Sequence, residues 1–337
     1  MAPTEPAART AEGVLGTVAV LRRYPVKSML GEELRACEVT PRGLVGDRVL
    51  GLVHRETGKV ASAKNPRLWR SLLRLAAGSG PGVKVAFPDG TAMASTDPGI
   101  DAALSEFLGQ AVSLAGTPPP DATLDRADPE QVLRDGVTAP VQAETLHLGD
   151  ASPGGTFHDF APLHLLTTST LARIAELSPR GAVELNRYRP NVVIRTAVVG
   201  FAENDWTGRD LRIGTDLAVR VMARTPRCAI PTLEHGDLPR DVEALRVPDA
   251  HNRVSPFDGL GPQPCAGVYA QVLRPGRNLL RLRPAARARH VDPGPDSGTQ
   301  PARDRRARTL PAQHRHRDNS PRVSRERLGR SRPAYRP

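Results

Sequence analysis

The sequence predicts a mainly β protein of the α+β type. Two domains of short strands, barrels or sandwiches rather than βαβ sheets, precede a disordered basic tail. Three observations carry this. From Gly13 onward the chain is a succession of short β-branched or alternating segments closed by Gly, Pro or Asp. Helical periodicity surfaces in few places, which disfavours a parallel sheet with crossover helices. Finally, 337 residues suffice for two ordinary cores.

The first domain is expected over residues 13–116. "GTVAVLRRYPV", "GEELRACEVT", "DRVLGLVH" and "GKVASA" read as strands, and "KVAFPDGTAMA" carries the Asp-Gly turn of a hairpin. One helix interrupts them at "DPGIDAALSEFLG". Asp97 is its expected N-cap and Pro98 its first residue; Ile100, Leu104, Phe107 and Leu108 share one face, and Gly109 is the stop. "NPRLWRSLLRL" is compatible with helix or strand, because so short an apolar run has no decisive period. Residues 117–156, rich in Pro, Asp and Gly, read as a linker with room for one short helix. The second domain, residues 157–283, opens with "FHDFAPLHLLTT" and passes through a helix at "STLARIAELSP". It returns to strands at "NVVIRTAV", "DLRIG", "LAVRVMART" and "AGVYAQVLRPG".

Charge is concentrated at the end. Residues 284–337 hold fourteen Arg against five acids, nine of the formal +11, which leaves +2 on the rest. With so few apolar residues the tail cannot offset its ordering entropy and is expected to be disordered. It could hold nucleic acid only through phosphate neutralisation, because Tyr335 is its single aromatic and base stacking has no platform. Three cysteines, Cys37, Cys228 and Cys265, form no close pair, so neither a disulfide framework nor a C-x-x-C zinc site is indicated, and a reducing compartment follows. No secretory leader and no apolar run of about 18 residues are seen, so a cytoplasmic protein off the membrane is expected.

Dinucleotide, P-loop and zincin fingerprints are absent. Four stretches offer chemistry instead. In "TPRCAIPT", Arg224 and Arg227 give Cys228 the electropositive setting of a reactive or metal-binding thiol, and the prolines on either side suggest an accessible loop. A cysteine that ends the strand and packs as a small hydrophobe is the competing account. "YPVKSMLG" presents Lys27 and Ser28 after a strand that stops at Pro25, an arrangement suited to an anion. "GLVGDRVL" sets Asp47 beside Arg48 as a local ion pair. In "NRYRPNVVI", Pro190 is expected to force Arg189 into an extended conformation ahead of Asn191.

These stretches, with "WTGRDLRIG" at Trp206–Gly214, stand in an order that resembles the MOSC family, named for the C-terminal domain of molybdenum-cofactor sulfurases. The likeness runs from about Gly16 to Gly276 and is to the two-domain form, in which an N-terminal β-barrel precedes a MOSC β-barrel. Mitochondrial amidoxime-reducing components and bacterial reductases of N-hydroxylated bases are the relatives it most resembles. The resemblance implies that Cys228 ligates molybdenum at the catalytic centre, a role suited to a soft thiolate. It implies that Lys27, Ser28 and Arg48 hold the phosphate or pterin of molybdopterin from the first domain, and Arg189 and Asn191 from the second. Thr168 and Ser169, at the start of a helix, are carried over as further cofactor contacts. His235 and Asp237 are expected in a solvated loop, His164 as a satisfied core histidine and Trp206 as barrel packing. The implied activity is reduction of N-hydroxylated substrates of the amidoxime or hydroxylamine type. Electrons would come from a separate protein, since the chain has no cysteine set for an iron-sulfur centre. The alternative is a cofactor carrier or sulfur-transfer protein without reductase turnover. After "GVYAQVLRPGR" the wording departs from the family, which puts the last barrel strand in question.

Overall fold

A register shift between Val18 and Val20 breaks the alternation of the first strand, and long-range pairing decides where it goes. In β1 (Thr17–Arg23), Val18 and Leu21 are buried and the two arginines are only partly covered. The computed structural model describes residues 15–280. After β1 come β2 (Glu32–Leu34), β3 (Ala36–Thr40), β4 (Gly43–Leu44) and β5 (Gly51–His54), then α1 (Pro66–Trp69), which runs straight into a 3-10 turn at Arg70–Arg74. β6 (Ala76–Ser79), β7 (Val83–Ala86) and β8 (Ala92–Ala94) form an antiparallel meander. α2 (Ile100–Leu108) follows, and then β9 (Val112–Ala115), which pairs with β5.

Residues 117–156 are not a bare linker. β10 (Thr123–Ala127) and β11 (Ala143–His147) pair antiparallel, with α3 (Pro129–Asp135) between them. The Asp and Pro that looked like linker composition do specific work here: Asp128 caps α3 by accepting from Glu130 N and Gln131 N, both at 2.9 Å, with Pro129 at its start. The ribbon buries Leu124 and Ala127 and little else, so its alternation is too thin to read from sequence.

The remainder holds β12 (Leu163–Thr167), α4 (Thr168–Leu177), β13 (Val192–Arg195), β14 (Asp210–Ile213), β15 (Leu217–Pro226), α5 (Glu243–His251), β16 (Arg253–Val254), β17 (Gln263–Arg274) and β18 (Gly276–Leu280). One eight-stranded sheet runs β14-β15-β17-β12-β13-β1-β2, with β16 on β17. β12 and β13 are parallel, joined across α4, and the other pairs are antiparallel. β1 therefore completes the sheet of the later half of the chain, Thr17 opposite Arg195. β18 returns the exchange by pairing with β3, Leu279 opposite Cys37. A closing strand is thus present despite the unusual wording after "RPGR". The main core mixes both halves, with Val18, Leu21, Val39, Leu165, Val192, Val219 and Val268 packed in one cluster that also holds Trp206. A second cluster around Met29, Leu52, Leu72 and Leu104 fills the earlier half.

Other local expectations shift for identifiable reasons. The Asp-Gly hairpin is present, with Ala86 opposite Ala92 and Gly90 at φ 88°. α2 begins at Ile100 and not at Pro98, because Asp97 Oδ1 accepts from Gly99 N at 2.8 Å and closes a turn of its own; Gly109, at φ 64°, ends the helix as expected. "GKVASA" makes only a bridge between Val53 and Val60: Val60 N donates to Thr123 O and Ala61 N to Leu52 O, so its bonds are split between two elements and no ladder forms. "NPRLWRSLLRL" is helical from Pro66 to Arg74, first α and then 3-10. No described helix is long and apolar enough to cross a membrane. The basic tail, residues 284–337, lies outside the described residues.

Candidate functional site

Six of the residues singled out in the sequence, Lys27, Ser28, Arg48, Arg189, Asn191 and Cys228, line one cavity of about 820 Å³. They come from the turn after β1, the segment before β5, the approach to β13 and the end of β15. The β10–β11 ribbon supplies another part of the wall.

Backbone strain collects here. Four described non-glycine residues have positive φ, and three of them are Ser28 (63°), Arg48 (49°) and Arg189 (54°). The extended conformation expected at Arg189 is therefore not adopted, although a proline follows. Its N donates to Asn186 O at 3.3 Å, closing the 3-10 turn at Leu185–Arg187, and its carbonyl meets the His164 Nδ1 at 3.4 Å and Arg48 Nη2 at 3.5 Å. These bonds offset the strain. The guanidinium of Arg189 donates to Met29 O at 2.7 Å and lies 4.3 Å over the Tyr24 ring, with Arg48 also on that ring at 4.8 Å. Burial lowers Arg189 to about 10.

Asp47 organises this cluster; the local ion pair with Arg48 expected from the sequence forms, and its carboxylate is buried. Asp47 is 1 % exposed. Its Oδ1 accepts from Tyr24 N at 2.7 Å; its Oδ2 accepts from Asn191 Nδ2 at 3.0 Å and from Arg48 Nη1. Asn191 Oδ1 in turn accepts from His164 N at 3.1 Å and Arg48 Nη1 at 3.3 Å. Asn191 thus fixes Arg48 and the start of β12 at once. Ser28 Oγ accepts from Ala63 N at 3.1 Å and holds the segment that carries Lys64.

A second charged group faces the same cavity. Lys27 Nζ donates to Phe157 O at 3.0 Å and to Asp159 Oδ1, and Lys64 Nζ lies 3.4 Å from that same oxygen. Burial pulls Lys27 down to about 8, opposed by the Asp159 carboxylate. Asp159 is held well below the usual carboxylate range by the two lysines, against the desolvation that would raise it.

Cys228 is 7 % exposed and packs with Ala63, Leu73, Ile230 and Leu233, yet it stands on the cavity wall. The open loop expected around it is instead a packed 3-10 turn at Ile230–Thr232. Arg227 is buried beside it. Its Nη2 donates to Tyr188 O at 3.2 Å and its Nε has no partner. Arg224 Nε is likewise unpartnered, and among the described residues neither guanidinium has an ion pair. Both arginines line the cavity. Two guanidinium groups without an ion pair thus share the cavity with the thiol.

Thr168 and Ser169 do not line the cavity. The helix that they open already holds a carboxyl group of the chain's own: Glu203 Oε2 accepts from Thr167 Oγ1 at 2.6 Å and Thr170 Oγ1 at 2.7 Å, and Oε1 from Gly267 N at 3.0 Å, while burial pushes this carboxyl above the usual range. His164 is the satisfied core histidine expected, its Nε2 3.3 Å from Ala266 O, but it also faces the cavity, and burial keeps it neutral by lowering it to about 3. His235 is buried and not solvated, and Asp237 is exposed; neither lines the cavity. Sequence reasoning missed Lys64, Asp159 and the β10–β11 ribbon. The one available signal was a charge set between aromatics in "FHDF". Among the described residues no group of three or more His, Cys, Asp or Glu could hold a metal ion by itself.

The family model for the MOSC N-terminal beta barrel domain matches residues 15–118, and the model for the MOSC domain matches residues 145–286. No curated protein matches the chain. MOSC domains are associated with molybdenum-cofactor sulfurase-like and reductase proteins. With both models matched in series over most of its length, the chain belongs to the MOSC family, in the form that sets an N-terminal barrel domain ahead of the MOSC domain.

Proposed function

We propose that the chain holds the molybdenum cofactor in this cavity, with Cys228 Sγ as the protein's ligand to the metal, and reduces N-hydroxylated substrates with electrons from a separate protein. The observation that carries the reading is one thiol sharing a cavity with Lys27, Arg48 and Arg189 and with two arginines whose Nε atoms are unpartnered. The residues fit the group. Its phosphate and pterin require charge-assisted donors, which the arginines and lysines offer, and a single soft thiolate suits a metal whose other ligands the cofactor brings. When bound, the cofactor supplies two-electron chemistry at molybdenum. The overall change consumes two electrons and two protons per N–OH group and gives the N–H compound and water. In this reading Lys27 and Lys64 attract the anionic end, Asp47 and Asn191 hold Arg48 in place, and Arg227 adds positive charge beside the anionic centre.

Purified protein from a host that makes the cofactor is expected to contain near-stoichiometric molybdenum, and Cys228→Ala to lose reduction of benzamidoxime. Metal analysis at background would sink the reading; activity retained in the alanine variant would sink the ligand assignment. Bound molybdenum without turnover under any electron donor would leave a carrier.

A pH dependence follows. The Lys27 ammonium is charged below about pH 8 and is lost above it. An anion that prefers the charged form raises this value on binding. Affinity for sulfate, a dianion across this whole range, is therefore expected to be constant below about pH 8 and to fall above it, which calorimetry at pH 6.5 and 9.5 would show. Equal affinity at both would remove Lys27 from the anion seat.

A further inference from the structure

The cavity has a second wall of different character. Phe160 and Phe257 stack with centroids 6.2 Å apart and planes 13° from parallel. Tyr269 meets Phe160 at 5.4 Å, and His164 meets Tyr269 at 5.9 Å. All four rings line the cavity and run in file from Phe257 to the buried His164. Phe257 is 46 % exposed.

Core packing does not account for this file. The chain is 4 % aromatic, yet three of its few Phe and Tyr rings meet on one cavity wall. None of the three belongs to a hydrophobic core cluster. Phe257 lies in the turn between β16 and β17, where Pro256 and Pro262 restrict the backbone and Gly259 takes φ 87°, and Leu260 of the same turn is a second large apolar residue left exposed at the cavity. A turn that presents two apolar side chains to a polar cavity, and neither to the core, is placed to cover a ligand. Offset stacking on such rings favours a flat π system and gives an alkyl group little.

We infer that the file Phe257, Phe160 and Tyr269 is the specificity surface of this cavity, stacking on a planar aromatic group attached to the N-hydroxylated centre. The chain then prefers aryl over alkyl substrates. This rests on the reductase reading for the reaction, though not for the binding of the ring.

The test uses benzamidoxime and acetamidoxime, which share the reacting group and differ in the ring. The full chain, its Phe257→Ala variant and its Phe257→Trp variant are compared in two ways: by calorimetric binding of each compound without electron donor, and by turnover with dithionite-reduced viologen. In Phe257→Ala, benzamidoxime binding and the benzamidoxime-over-acetamidoxime preference in kcat/KM are expected to fall roughly ten-fold, with the loss in KM rather than kcat. Phe257→Trp is expected to restore both. Benzamidoxime binding unchanged in Phe257→Ala, or equal losses for the two compounds, would overturn the inference. If the protein turns nothing over but binds benzamidoxime in a Phe257-dependent way, the reductase reading fails and the aromatic surface stands. If turnover persists with a preference that Phe257→Ala leaves untouched, the surface fails and the reductase reading stands.

Discussion

Asp47→Ala is expected to destabilise the folded chain by about 3–5 kcal/mol, the cost of removing one partner from a buried ion pair. The carboxylate is 1 % exposed and accepts from Tyr24 N, Asn191 Nδ2 and Arg48 Nη1. Its removal leaves a backbone donor unpaired and sets two guanidinium groups, Arg48 and Arg189, on one Tyr24 ring with no carboxylate between them. Arg48 also sits at positive φ and needs those bonds to stay there. Asp47→Asn keeps the volume but turns an amide donor toward Asn191 or Arg48, so it is expected to recover less than half of the loss. Urea unfolding at pH 7 measures both. A loss under about 1 kcal/mol would mean that the cluster tolerates its own charge, and would remove Asp47 as its organiser.

Acidification is the second large effect. Burial keeps three histidines neutral: His158 is lowered to about 4, His164 to about 3 and His235 to about 4. Unfolded, each takes up its proton near the ordinary value of about 6.5. Between about pH 6.5 and 4 the unfolded chain therefore binds more protons, and stability present above 6.5 is lost as the pH falls. Each such proton contributes about 1.4 kcal/mol per pH unit, so the three together approach roughly 4 kcal/mol per unit. Asp159, held low by its lysines, adds in the same direction at more acid pH. Urea titrations at pH 7, 6, 5 and 4 are expected to show this slope. His235→Ala is expected to flatten it by about a third, since it removes one of the three rings that take up a proton on unfolding. Stability level from pH 7 to 4 would contradict burial of the neutral rings.

What the sequence made legible were local features with their own chemistry. The Asp89-Gly90 turn, Gly109 as a helix stop and the helix at "STLARIAELSP" are each set by a few adjacent residues, and each is present. Six cavity residues were found through the order of short stretches, since no single one stands above a solvated lysine or a surface ion pair. The rest lay in contacts with no local signature. Nothing near Arg189 announces a left-handed backbone before proline, because the groups that stabilise it, Arg48 and His164, are distant in sequence. Lys64 and Asp159 acquire meaning only once Lys27 and Lys64 meet on one oxygen of the Asp159 carboxylate. The β10–β11 ribbon hid behind linker composition because it buries so little.

The exchange of strands between the two halves also governs the order in which the chain can fold. β1 emerges first from the ribosome, yet its partner β13 follows much later; β3 waits still longer, for β18. β1 and β3 therefore carry open edges on the nascent chain until β13 and β18 have been made. Early and late strands that lock each other in this way tie the two halves into one object, and they make the early half a client for whatever shields unpaired strands during translation.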